Sequence, residues 1–176
     1  MKYNKIALIG MMGSGKTTIS KLLSKKLNIN FFDSDEIFVE EFGEIKKYFA
    51  EFGEASFREK ESAILKEISE KDNFVLSCGG GIIVTEANRD ILFKGDIFTI
   101  FLNTSPDEIF KRLQNNYSRP LLETEDKLKS INSILSSREK YYTMADLDII
   151  TDDKQPENIV DEIINFMKDL KKWKKI

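Results

Sequence analysis

Gly10-Met11-Met12-Gly13-Ser14-Gly15-Lys16-Thr17 stands between the apolar run Ile6-Ala7-Leu8-Ile9 and a segment carrying Ile19, Leu22, Leu23 and Leu27 at helical spacing. Glycine, any four residues, then Gly-Lys-Thr is the phosphate-binding loop pattern, and a strand before it with a helix after it is the context that pattern requires. Glycines let the backbone curl until successive N–H groups point into one concavity. The helix that follows adds its unpaired amides and the positive end of its dipole. Lys16 then reaches the β- and γ-phosphates, and the Thr17 hydroxyl can ligate Mg²⁺. A mere glycine turn ahead of an amphipathic helix would need neither Lys16 nor Thr17. The loop announces a nucleotide and leaves the phosphate acceptor open.

Working outward, the 176 residues are expected to form one domain with a real core. Hydrophobic content of 41% with 32% charged residues fits a soluble globular chain. A net charge of −3 gives no electrostatic reason to expect nucleic acid as a partner. No apolar run approaches the roughly 20 residues that span a membrane, and the start of the chain leads into the phosphate loop rather than reading as a signal peptide. The single Cys78 cannot form an internal disulfide, which favours a reducing, cytoplasmic setting. With one Cys and no His, a zinc site and a His-based triad are excluded. Chemistry falls to carboxylates, Lys, Arg, hydroxyls and backbone amides.

Only five of the 27 basic residues are Arg: Arg58, Arg89, Arg112, Arg119 and Arg138. In so Lys-rich a chain an Arg marks a place where a planar donor fork is needed. Six of the nine glycines lie in the phosphate loop or in Gly79-Gly80-Gly81.

Strands are predicted over 5–9, 30–33, 74–78, 97–102 and 146–150. Helices are predicted after the phosphate loop, over about 54–71, from Ser105-Pro106-Asp107-Glu108 onward, over about 127–142, and from Pro156. Ser105 and Glu108 have the spacing of a capping box, with Pro106 in the first turn. Strands alternating with helices predict a doubly wound parallel sheet, whose ligands bind beyond the carboxyl ends of the strands. The unusual residues fall there. Gly15-Lys16-Thr17 follow the first strand, Asp33 and Asp35 end the second, and the triple glycine ends the third.

In Phe31-Phe32-Asp33-Ser34-Asp35 two carboxylates share a face if the strand continues. The first could hold Mg²⁺, directly or through water, and the second could hold or deprotonate an acceptor hydroxyl; the alternative is that Asp35 caps the next helix. Three glycines in a row are entropically costly and pack nothing, so Gly79–Gly81 suggests a ligand's close approach to backbone, with a simple loop as the alternative. An apolar strand ending in Asp is missing there, which leaves Asp33 to serve the metal. The GTPase signatures Asp-x-x-Gly and Asn-Lys-x-Asp are absent. Arg58 either pairs with Glu54 or Glu61 at helical spacing or binds a ligand. Arg138 falls in the inward stripe of Leu128, Ile131, Leu135 and Tyr142, where a cation needs an anionic partner, internal or bound. Two forked cations beside a phosphate-transfer site suggest an acceptor bearing a carboxylate. Residues 115–122 read as a loop able to close over the site, which could bring Arg119 to the transferring phosphoryl group; the alternative is a solvated loop arginine.

Together these pieces resemble the shikimate kinases, within the nucleoside-monophosphate-kinase-like group of P-loop proteins. The resemblance runs through the glycine loop, Phe-Phe-Asp-Ser-Asp, Phe49…Gly53-Glu54…Phe57-Arg58…Glu61, the triple glycine, Arg119-Pro120-Leu121-Leu122, and Arg138 followed by Tyr141. It implies a three-layer α/β/α fold with a five-stranded parallel sheet, a substrate-binding insert at about 34–62 and a lid at about 112–126. It implies transfer of the γ-phosphate of ATP to the 3-hydroxyl of shikimate, with Mg²⁺, by a cytoplasmic monomer in aromatic amino acid biosynthesis. By the same resemblance, Gly13 to Thr18 with Arg112, Arg119 and Pro156 bind ATP, and Thr17 and Asp33 organise Mg²⁺. Arg58, Arg138 and the Gly79, Gly80 and Gly81 backbone bind shikimate. Lys16, Asp35 and Arg119 are the catalytic set. Competing readings are a kinase of gluconate or another small metabolite, or a nucleotide-binding module without catalysis. The latter should show damage at Lys16, Asp35 or Arg119, and none is damaged.

Overall fold

The computed structural model describes residues 4–113 and 127–173. Five strands, β1 (Lys5–Ile9), β2 (Asn30–Asp33), β3 (Phe74–Ser77), β4 (Phe98–Asn103) and β5 (Leu147–Ile150), form one parallel sheet in the order β2-β3-β1-β4-β5. The described helices are α1 (Lys16–Leu27), α2 (Ser34–Phe42), α3 (Ile45–Ser69), α4 (Glu86–Lys94), α5 (Pro106–Leu113), α6 (Lys127–Tyr142) and α7 (Pro156–Trp173).

Period-two alternation along each strand splits the apolar residues between two faces. Ile6, Leu8, Val75, Ile100 and Leu102 pack against Ile19 and Leu23 of α1 and Ile159, Val160 and Ile163 of α7. Ala7, Ile9, Leu76 and Phe101 face the opposite way, toward Phe38, Phe57, Leu65, Leu92 and Tyr142 from α2, α3, α4 and α6. Sheet strands this apolar on both faces require helices on both sides, which is the expected three-layer architecture. A third cluster joins Met11 and Met12 of the phosphate loop to Ile109 and Leu113 of α5 and Ile131 of α6.

The predicted strands hold within a residue or so at each end. Helix α4 lies where no helix is predicted, α2 follows the alternative in which a helix begins at the end of the second strand, and α3 starts nine residues ahead of the expected boundary at residue 54. Gly53 breaks that long helix with φ 79° and ψ 170°, a conformation only glycine adopts without strain. The break marks the onset expected from sequence. Capping chemistry also differs from expectation in two places. Glu108 N–H donates to Ser105 Oγ (3.2 Å), but the reciprocal half of the box is missing. The Glu108 carboxylate pairs with Arg112, and Ser105 N–H donates to Asp152 Oδ1. At α2 the cap is Asp33, not Asp35: Asp33 Oδ1 accepts from the N–H groups of Asp35 and Glu36 at 3.0 and 3.2 Å. Asp33 is the last extended residue, the position from which a short carboxylate reaches the second and third helical amides.

Candidate active site

Strand register assembles the floor. Asp33 pairs with Ser77, and Ser77 with Leu8, so the ends of β2, β3 and β1 lie abreast. The phosphate loop leaves β1 there. Gly10, Gly13 and Gly15 all have positive φ (150°, 81° and 92°), and Gly15 caps α1 with no side-chain partner for the first helical amides. Those amides and the helix dipole suit an anion, which is the cradle expected from the sequence. Lys16 Nζ donates to the Gly10 and Met11 carbonyls, each at 3.0 Å, which holds the cation over its own loop. Ser14 is fully buried, its N–H donating to Met11 O (3.1 Å), so its side chain turns into the body of the loop.

Thr17 Oγ1 donates to Asp33 Oδ2 at 2.8 Å and lies 3.3 Å from Ser77 Oγ. One carboxylate thus serves both ends: Oδ1 caps α2 and Oδ2 faces Thr17. Among the described residues no three of His, Cys, Asp and Glu gather into a metal cage. A hydroxyl beside a single carboxylate at a phosphate cradle instead suits a hard cation that takes most of its oxygens from phosphates and water.

The acceptor side is built around the triple glycine. Gly79 N–H donates to Ser34 Oγ at 2.8 Å, tying the turn to α2. Asp35, in the first turn of α2, lies so close to Gly79 that a Cβ there would stand 2.5 Å from Asp35 Oδ1. It reaches the site from a helix, not along a strand face as the two-residue spacing suggested. The two-nitrogen edge of Arg58 comes up against Gly81, whose Cβ would stand 2.6 Å from both terminal guanidinium nitrogens. Both carboxylates expected as its helical partners bind it: Glu54 Oε1 at 3.2 Å from Nη2, and Glu61 Oε2 at 2.8 Å from Nη1. Arg138 Nη1 donates to Gly80 O at 2.9 Å, and Tyr142 OH donates to the same carbonyl at 3.3 Å.

Glu61 is the functional candidate that sequence reasoning treated only as a partner for Arg58. Its side chain is 4% exposed. Burial pushes its carboxyl above the usual carboxylate range, Asp35 adding to this while Arg58 and Arg138 pull against it. The signal was present: Glu61 interrupts the buried helical stripe of Phe57, Ile64, Leu65 and Ile68. Ser77 was missed because its value lies in cross-strand register. Burial raises the pKa of Cys78, which is therefore a neutral thiol in the site wall.

One cleft of about 290 Å³ gathers Gly13, Gly15, Lys16, Thr17, Thr18, Asp33 and Arg112 from the expected nucleotide and metal sets, with Asp35 and Gly80 from the acceptor set. Arg58, Gly79, Gly81 and Arg138 stand behind that lining and join it through the contacts above. Arg112 links α5 to Thr151, donating to its carbonyl at 3.0 Å, while Pro156 opens α7 outside the cleft lining. Arg119, and all but the first two residues of the expected lid, lie outside the described residues.

The family model described as shikimate kinase matches residues 12–168. A shikimate kinase of Caldicellulosiruptor saccharolyticus is 40% identical over 162 residues, covering 92% of this chain and 94% of the relative. One from Legionella pneumophila is 38% identical over 169 residues, with coverage of 95% and 96%. Among solved structures, shikimate kinase from Acinetobacter baumannii in complex with shikimate superposes with a TM-score of 0.91 at 30% identity, covering 96% of this chain and 95% of that one. A deoxyadenosine kinase with bound dATP, at 20% identity and a TM-score of 0.63, shares the fold.

Proposed function

The chain belongs to the shikimate kinase family, and from that premise we propose how its own residues carry the reaction. The activity is ATP-dependent phosphoryl transfer to the 3-hydroxyl of shikimate, giving shikimate 3-phosphate and ADP. The observation that carries the assignment of roles is the convergence on Gly79–Gly81. The phosphate cradle approaches this turn from one side, and Asp35, Glu61, Arg58 and Arg138 approach it from the other.

Lys16 leaves the Gly10 and Met11 carbonyls to pair with the β- and γ-phosphates, and the amides at the start of α1 hold them in place. Thr17 and Asp33, 2.8 Å apart, would hold Mg²⁺. When bound, this ion supplies charge neutralisation on the phosphate oxygens. Arg112 flanks the nucleotide, joined on resemblance alone by Pro156. Arg119, placed only by its sequence context, meets the transferring group. Arg58 and Arg138 grip the shikimate carboxylate with planar forks, and the absence of side chains at Gly79, Gly80 and Gly81 lets the ring approach the backbone. Asp35 orients the ring hydroxyls and accepts the departing proton.

A loose phosphoryl transition state needs little covalent help, so alignment and charge neutralisation supply most of the rate. That suits a chain without histidine. The same reading makes residues 34–62 the acceptor-binding insert and 112–126 a lid. The family resemblance and the single cysteine go with a cytoplasmic monomer. ADP release measured with shikimate, gluconate and AMP as acceptors tests the assignment. Turnover with shikimate alone is expected, and turnover with either other acceptor at comparable kcat/KM overturns it.

A further inference from the structure

Of the five arginines, Arg89 alone has no part in binding or transfer as proposed above. It sits on α4, outside the lining of the cleft, and its Nη1 donates to the carbonyls of Ile83 (2.9 Å) and Val84 (2.8 Å). These two residues close the short 3₁₀ turn Ile82–Val84 that leaves the triple glycine. The same guanidinium lies over the ring of Tyr141 on α6, its carbon 4.2 Å from the ring centroid. Tyr141 is three residues past Arg138 and adjacent to Tyr142, the two side chains that donate to Gly80 O.

The glycine turn and α6 are therefore tied twice. The inner tie, at Gly80 O, uses Arg138 itself. It weakens when that guanidinium turns its donors to a bound carboxylate. The outer tie, Arg89 between the turn's exit and Tyr141, involves no atom a substrate would touch and persists when the inner one loosens. A guanidinium suits this position because it can bond carbonyls in its plane while stacking its face on a ring; an ammonium cannot do both.

We propose that Arg89 is a positioning residue for the acceptor half of the site, holding α6, and with it Arg138, in register with the Gly79–Val84 segment through the ring of Tyr141. The proposal rests on the reading that Arg138 meets the acceptor's carboxylate.

Steady-state kinetics of the full chain, with shikimate and ATP varied separately, test it. Arg89→Leu should raise the KM for shikimate about three- to tenfold, the span expected from losing a cation–ring contact, while the KM for ATP and kcat stay within about twofold. Tyr141→Leu should reproduce this, Tyr141→Phe should restore the wild-type KM, and Arg89→Leu with Tyr141→Leu should be no worse than the stronger single change. A folded Arg89→Leu with unchanged shikimate KM, alongside an Arg138→Lys with raised KM, overturns the positioning role alone. An unchanged KM in both overturns the carboxylate reading and this proposal with it. Parallel losses in both KM values, kcat and melting temperature identify Arg89 as a structural staple and also overturn the proposal. Should Arg89→Leu fail to fold, the contrast between Tyr141→Leu and Tyr141→Phe decides: a difference in shikimate KM supports the tie, and equality refutes it.

Discussion

Alanine placed singly at the three glycines should separate the parts of the acceptor site, because each missing Cβ faces a different neighbour. At Gly79 the new methyl would stand 2.5 Å from Asp35 Oδ1 and 3.1 Å from Glu61 Oε1. Ordinary contact begins near 3.4 Å, so the Asp35 carboxylate must retreat by about 0.9 Å. Displacements on the order of 1 Å in a positioned reacting group cost roughly 100-fold in rate. Gly79→Ala is therefore expected to lower kcat by roughly that factor. At Gly81 the methyl would stand 2.6 Å from both terminal nitrogens of Arg58. It pushes the two donor nitrogens away from their place, so the loss should appear mainly in the KM for shikimate. At Gly80 nothing lies nearer than Met12 N at 3.5 Å, so the chain itself accommodates the methyl. A loss there measures how closely ligands approach the backbone. None of the three has a positive φ, so alanine carries no backbone strain and stability should change by no more than about 1 kcal/mol. Coupled ADP-release rates with each substrate varied, beside melting temperatures, read all of this. A Gly79→Ala enzyme with wild-type kcat, or a Gly81→Ala enzyme with wild-type shikimate KM, would refute the geometry.

Arg58→Lys and Arg138→Lys keep the charge and lose the fork. Each should raise the KM for shikimate about 10- to 100-fold, the equivalent of one charge-assisted hydrogen bond, and spare ATP; isothermal titration with each ligand checks the split, and equal weakening of both sinks it. Lys16→Ala should depress kcat on the order of 100- to 1,000-fold, and near-normal single-turnover rates would remove Lys16 from the phosphate role. Glu61→Gln tests the buried carboxyl through pH. A folded-state pKa raised above the ordinary 4.5 means the native chain binds the proton more tightly than the unfolded one. Wild-type stability therefore falls relative to the Gln variant as pH rises from the ordinary carboxylate value through the raised one, and the gap is constant beyond it. Melting curves from pH 4 to pH 8 should show that trend, and a gap that moves the other way contradicts the burial argument.

The fold was legible because its signals are local. Glycine spacing, apolar alternation and a Pro at the first helical turn each act within a few residues. The phosphate-loop conformation was legible for the same reason, being one contiguous stretch with Asp33 a strand away. What stayed hidden depends on the third dimension. Ser77 matters only because register sets it beside Asp33 and Leu8. The start of α2 is hard to place because Asp33 serves as strand end and cap at once, so the sequence leaves open whether Asp35 continues the strand or caps the helix. Arg89 was flagged by residue type, but nothing in the sequence says that Tyr141, 52 positions later, lies beneath it.

That division explains why a glycine turn, rather than a set of side chains, sits at the centre. In-line transfer requires two substrates to be aligned within a fraction of an ångström, and each intervening rotamer adds positional freedom. Backbone fixed by strand register carries no such freedom. Gly80 meets the phosphate loop at Met12 N and Gly10 O, while its carbonyl receives Arg138 and Tyr142. Gly79 is held by Ser34, and Gly81 lies beneath Arg58. Three glycines cost about 0.5–1 kcal/mol each in chain entropy. The cost is offset where one short segment, continuous with β3, serves as the common wall of both half-sites. Side chains there would displace the carboxylate and the guanidinium that the alignment depends on. The glycines are thus needed for what approaches them from both sides, and the phosphate loop is one of two surfaces that meet at the same strand end.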